Sequence, residues 1–212
     1  TNGNASSLAT ASAGVTIANA IYAVKYISIS GISTTASGVT YSAAINSSES
    51  GIVFNGTSVG TVSTSYGIYA SAAAGIVTAA GLVEMYGTST ASAGTIDSIK
   101  TVALATITGN AGVMIFGMNA SGNITLGAAT LADGASLTAG TGIANAISLS
   151  SVSGTASGTS SNLTINTTGA VTVSGAIGTD IGTITITNNA LGKAAAASQF
   201  TINCGTLSIT VQ

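Results

Sequence analysis

Histidine, arginine, proline and tryptophan are missing altogether, and charge is nearly so: three lysines and five acids stand in 212 residues, 4% charged at a formal net charge of −2. Soluble globular chains carry about 25% charged residues, so this scarcity bounds function more than any other feature. Phosphate-binding surfaces are built from clustered Lys and Arg, and three scattered lysines exclude nucleic acid as a partner. Without His there is no ordinary general base at neutral pH. The acids Glu49, Glu84, Asp97, Asp133 and Asp180 stand isolated in sequence, so the chain is not expected to be an enzyme. The single cysteine, Cys204, has no Cys or His partner for a disulfide or a metal, and neither metal nor cofactor is expected. A surface with so little charge lacks the repulsion that keeps crowded proteins apart, and other copies of the chain are the expected partners.

Long apolar runs are missing too. The hydrophobic fraction is 46%, yet it consists of Ala, Val and Ile broken by Ser, Thr and Gly. Ala72 to Val83, the most lipid-like run, falls short of the roughly 20 residues a spanning helix needs, so no membrane span is expected. Disordered chains are poor in Val and Ile and rich in charge, the reverse of this composition, so an ordered, all-β chain is expected. The start at Thr1, without Met or a basic-then-apolar leader, fits a mature extracellular or cell-surface form.

The stretch Gly14 to Ser30, GVTIANAIYAVKYISIS, has apolar side chains on both parities. It reads as one long strand, placed centrally in the chain's own sheet or lent to a neighbouring copy; a helix is a third reading, opposed by the β-branched density of YISIS. On the donor-strand reading, residues 1–30 are a lead-in and donor segment, residues 31–212 a single all-β domain, and the polymer interface is Val15, Ile17, Ile21, Tyr22, Val24, Tyr26, Ile27 and Ile29.

Short strands follow at Gly38 to Ile45, Gly51 to Phe54 and Tyr66 to Ser71, with a short helix expected over Ala72 to Tyr86. Lys100 to Thr108, Val113 to Met118 and Asn123 to Leu126, joined by the Gly and Asn turns GNAG and NASG, read as an antiparallel meander. Asp133-Gly134 suggests a further hairpin, Ser150 to Ser161 an exposed loop, and Thr206 to Gln212 a paired terminal strand. All six tyrosines precede residue 87 and are expected in one core layer or an interface. These signals favour an antiparallel β-sandwich or jelly roll with a long N-terminal strand. The alternative is a parallel β-solenoid with a coil repeat near 37–39 residues: Asn123 to Leu126, Asn162 to Ile165 and Gln199 to Ile202 share one pattern, and Ala146 to Leu149 echoes Thr183 to Ile186.

Seven Asn-X-Ser/Thr sequons, at Asn4, Asn46, Asn55, Asn119, Asn123, Asn162 and Asn166, are candidate N-glycan sites whose sugars would supply hydration that charge does not. Thr183, Thr185 and Thr187 suit a flat hydroxyl surface, and Gly31 to Thr35 echoes ice-binding solenoids. In composition the whole chain resembles subunits of microbial, especially archaeal, extracellular filaments, sheaths and surface layers, and less closely haemagglutinin-type adhesin passengers. The apolar N-terminal helix of type IV pilins and the Asn-Pro motifs of two-partner secreted adhesins are absent. What the resemblance implies is a structural subunit of a self-assembling extracellular filament, joined by donor-strand exchange. A monomeric surface adhesin or ice-binding solenoid is the alternative.

Overall fold

The computed structural model describes residues 3–9, 13–60, 64–90, 97–102, 106–118, 122–131, 135–138, 146–154, 161–167, 171–175, 177–188 and 202–211. The sequence favours strands because apolar residues, chiefly Val, Ile and Leu, alternate with polar ones, chiefly Ser and Thr, giving elements of three to twelve residues separated mostly by Gly, Ser, Ala and Asn. A first turn of chain runs through β1 (Gly3–Ala9), β2 (Val15–Ile17) and β3 (Ile21–Ala23), and a second through β4 (Ile27–Ser33), β5 (Val39–Tyr41) and β6 (Ile45–Ser47). The third comprises β7 (Ile52–Ser58), β8 (Ile68–Ala70) and β9 (Val77–Ala79), and the fourth β10 (Val83–Ser89), β11 (Asp97–Thr101) and β12 (Ile107–Gly109). Above them lie β13 (Val113–Gly117), β14 (Asn123–Leu131), β15 (Ala135–Thr138), β16 (Ile147–Gly154), β17 (Ser161–Thr167), β18 (Val171–Val173), β19 (Ile177–Asn188) and β20 (Ile202–Val211).

Every strand pairing among the described residues is parallel. Each strand pairs with strands one turn of chain before and after it, which makes the molecule a parallel β-solenoid. The first wall stacks β1, β4, β7, β10, β13, β15, β17 and β19, and the second β2, β5, β8, β11, β14 and β16. The third is the four-stranded sheet of β3, β6, β9 and β12. Strand β19 pairs with both β16 and β17, so the first two walls belong to one sheet.

The antiparallel sandwich is thus corrected to a parallel solenoid, and the physical reason lies in the turns. Gly112 has φ 122° and its amide donates to the Gly109 carbonyl at 2.9 Å, a tight turn where Gly and Asn predict one. It joins the third wall to the first at a corner instead of reversing the chain. The coil repeat is corrected as well. Steps along the first wall from Gly3 through Ile27, Ile52 and Val83 to Val113 are 24, 25, 31 and 30 residues, and Leu163 to Ile184 is only 21. The apparent 37–39 spacing links β14 to β17 and β16 to β19, strands of different walls, while Gln199 to Thr201 of its third copy lie outside the described residues. All walls share the same apolar-in, Thr-out alternation, so their strands match one another regardless of stacking.

Gly14 to Ser30 is not one long strand. It bends twice, supplying β2, β3 and the start of β4, and the boundary between residues 30 and 31 falls inside β4. Ile17, Ile27 and Ile29 point into the core, whereas Tyr22, Val24 and Tyr26 stand 75%, 52% and 38% exposed at the corner between the third and first walls. Val15 and Ile21 are partly buried against the core. The helix expected over Ala72 to Tyr86 is replaced by β9 and the start of β10: Val77, Ala79, Val83 and Met85 are fully buried at the alternation of a strand, and this burial overrides the helical preference of the alanines. Ser150 to Gly154 belong to β16, not to an exposed loop. The terminal strand expected near Thr206 is β20, paired with β19. The Asp133-Gly134 hairpin lies outside the described residues.

The core consists of ladders of inward side chains. Val39, Ile68, Ile99, Ile124 and Ile147 stack in register along the second wall, and Ile29, Phe54, Met85 and Ile115 along the first, each at most 1% exposed. Each such side chain contributes about 1.5–3 kcal/mol of transfer free energy.

Where the first wall turns toward the second, the inward position is glycine in four successive strands, Gly31, Gly56, Gly87 and Gly117. A Cβ on Gly56 would run into the Gly67 carbonyl, so only glycine lets the two walls approach backbone to backbone here. Beyond them the fully buried Ser33, Ser58 and Ser89 stack in register. Ser33 Oγ accepts from the Ala36 amide at 2.9 Å, and the Ser58 and Ser89 hydroxyls donate to the Ala36 and Ser65 carbonyls at 2.7 and 2.8 Å. Each serine thereby holds loop backbone that would otherwise be buried without a partner.

Candidate functional site

A parallel solenoid turns alternate residues of each strand outward, so outward chemistry runs in rows along the axis. On the second wall the row is Thr16, Thr40, Tyr69, Lys100, Thr125, Ser148 and Thr172. At about 4.8 Å per strand it extends roughly 29 Å.

Its middle carries a polar cluster that reaches from the surface into partly buried ground. The Tyr66 and Tyr69 rings pack with centroids 4.8 Å apart, and Lys100 Nζ lies 5.0 Å from the Tyr66 centroid and donates to the Tyr66 hydroxyl at 3.3 Å. Asp97, only 6% exposed, accepts a hydrogen bond from the Thr125 hydroxyl at 2.7 Å and faces Lys100 Nζ at 3.8 Å. Burial raises the Asp97 carboxyl above the ordinary carboxylate value, since the Thr125 bond and the long ion pair only partly oppose it. Burial alone would lower the Lys100 ammonium; the Tyr66 hydrogen bond and the charge of Asp97 reverse this, and its pKa is raised.

Beside this cluster a groove of about 260 Å³ opens over β14, β16 and β18. Thr101, Thr125, Ser148, Ser150, Thr172 and Ser174 line it with hydroxyls, Leu126 and Leu149 border it with their side chains buried in the core, and no charged residue enters the lining. Thr125 belongs to both features, donating to Asp97 while facing the groove. Thr101 accepts from the Gly127 amide at 3.0 Å, whereas Ser148, Ser150 and Thr172 make no side-chain hydrogen bond among the described residues.

The first wall presents a different surface. The Tyr86 and Phe116 rings stack at 5.2 Å with 4° between planes, and the Tyr86 hydroxyl donates to Glu84 at 2.7 Å. That hydrogen bond, with burial and the Glu84 charge adding to it, pushes the Tyr86 phenol up to about 12. The sequons divide between walls: Asn4, Asn55, Asn162 and Asn166 fall on first-wall strands and Asn46 on the third, with Asn55 and Asn162 exposed. Asn123, on the second wall, is 7% exposed, and its Oδ1 accepts from the Ala146 amide at 2.6 Å; this sequon is part of the fold. Asn119 lies outside the described residues, and Thr187 is placed by register only. Thr183 and Thr185 stack on Asn162 and Thr164 of the first wall.

Sequence reasoning missed the site on the second wall, because Tyr66, Asp97 and Lys100 are spread over 34 residues and meet only through coils of unequal length. Among the described residues no group of three or more His, Cys, Asp or Glu can hold a metal ion, and no helix is long and apolar enough to cross a membrane. Comparison with protein families, with curated proteins and with solved structures finds no significant match.

Proposed function

We propose that this chain is an extracellular, cell-surface adhesive module: a β-solenoid rod that presents its second wall to a ligand. The observation that carries the reading is the asymmetry between walls. Exposed sequons stand on the first wall, while the second joins an outward row, a Tyr-Lys-Asp cluster and an uncharged groove with no exposed sequon among its described residues. Glycans on Asn55 and Asn162 would hydrate one side and leave the other bare. The test is surface retention of the purified chain on cells or extracellular matrix: retention abolished by Tyr69→Ser with Lys100→Ser supports the reading, and retention unaffected by this pair refutes the assignment of the face.

Self-assembly into an extracellular filament is a second reading, favoured by the exposed apolar corner of Tyr22, Val24 and Tyr26 on a molecule with little charge to oppose association. Because β2, β3 and β4 are built into the chain's own walls, copies would join through this corner without exchanging strands. Sedimentation of the chain beside a Tyr22→Ser, Val24→Ser, Tyr26→Ser variant decides it: a wild-type polymer dispersed by the substitutions supports the filament, and a wild-type monomer at high concentration removes it.

A further inference from the structure

We infer that the groove over β14, β16 and β18 is a binding site for one ring of a neutral polysaccharide, an assignment that rests on the adhesive reading and names its ligand class. The lining fixes the chemistry. No charged side chain lines the groove itself, and Lys100 and Asp97 at its edge face each other at 3.8 Å, so an ionic ligand finds no unpaired counter-charge there. Ser148, Ser150 and Thr172 offer hydroxyls free of partners among the described residues, each both donor and acceptor, which complements a ligand that is itself hydroxyl-rich. Thr125 is different: its proton is committed to Asp97, so toward the groove it only accepts, and it selects a ligand hydroxyl that donates.

The volume supports a ring rather than a longer segment. About 260 Å³ lies just below the roughly 300–1,000 Å³ of pockets that enclose whole drug-sized molecules. The groove is also open, and its row continues through Lys100 to Tyr69, so a chain ligand can leave the groove along the wall and pass the tyrosine pair. An extended polymer fits that layout.

Affinity electrophoresis of the full chain through gels containing soluble neutral glucan, mannan, xylan or galactan, with an anionic polygalacturonate gel beside them, tests the assignment. Retardation by at least one neutral polymer is expected. Ser148→Phe, which fills the groove from an outward position, should weaken it at least tenfold, and Thr172→Val, which keeps shape and removes one hydroxyl, should weaken it several-fold. Thr164→Val on the first wall should leave it unchanged, with far-ultraviolet circular dichroism reporting the fold of each variant. If the wild type is retarded and both groove variants are retarded equally, the groove assignment falls while the adhesive reading stands. Retardation only by polygalacturonate overturns the neutral-ligand class, and failure of every gel to retard a chain that still adheres to cells overturns the polysaccharide assignment without touching adhesion. Loss of both overturns both.

Discussion

Tyr41 sits in the core of the solenoid with its ring 5.5 Å from Phe54 and, among the described residues, no hydrogen-bond partner for its hydroxyl. Burial alone raises its phenol far above the ordinary tyrosine range. An unsatisfied buried hydroxyl costs about 1–3 kcal/mol, while the ring retains its packing without it. Tyr41→Phe is therefore expected to raise stability by roughly 1 kcal/mol, read as a higher urea midpoint at unchanged m-value; a lower midpoint would reveal a partner for the hydroxyl. Asp97 makes the opposite kind of demand. Its folded-state pKa is raised above 3.8 by burial, so the fold holds the proton more tightly than the unfolded chain does. Its contribution is present in full below pH 3.8 and is lost as pH rises through the folded-state value. Thermal melts should show Asp97→Asn flattening that decline and stabilising the chain at neutral pH; a steeper decline in the variant would mean that Lys100 and Thr125 outweigh burial.

At the level of strands and corners, the glycine row is the least replaceable feature. At Gly56 a methyl group meets the Gly67 carbonyl of the facing wall, and backbone cannot move aside as a flexible side chain would. Gly56→Ala should cost at least about 3 kcal/mol, at the upper end of ordinary overpacking, measured by chemical denaturation. A loss under about 1 kcal/mol would mean that the walls can separate at this corner. The same row shows what was legible in the sequence and what was not. Strand identity follows from local alternation, so β5, β8, β13, β14 and β20 fall within or overlap the segments Gly38 to Ile45, Tyr66 to Ser71, Val113 to Met118, Asn123 to Leu126 and Thr206 to Gln212 expected as strands. Strand direction does not, because a Gly-Asn turn reads alike at a hairpin and at a solenoid corner, and loops of unequal length hide the repeat. Gly14 to Ser30 misled for a related reason: Ala18 to Ala20 and Val24 to Tyr26 bend the chain without Gly or Pro, so three short strands looked like one. The Tyr66, Lys100 and Asp97 cluster was invisible because no local motif joins Tyr66 to Lys100; only the stacking of coils does.

Across the whole molecule, stability comes from ladders and not from charge. The two ion pairs among the described residues are Lys25 with Glu49, whose side chains are 59% and 55% exposed, and Lys100 with Asp97 at 3.8 Å. Exposed pairs contribute little and salt screens them further, so raising NaCl from about 0.05 to about 1 M is expected to leave the unfolding free energy unchanged within about 0.5 kcal/mol.

Stacked coils touch chiefly their neighbours, so damage should also stay local. In Gly56→Ala the strain falls on β7 and on the β4 and β10 strands paired with it, while β14, β16 and β18 are tied to this region only through intervening coils. Native-state hydrogen exchange should therefore quicken at Ile29, Phe54 and Met85 and remain near wild-type at Ile124, Ile147 and Val171. That gradient would also keep the groove intact in a variant whose lower coils are weakened, so its polysaccharide retardation should persist. Uniform acceleration through all coils would show that the solenoid unfolds as one cooperative unit, and that the groove owes its shape to the glycine corner as much as to the strands that line it.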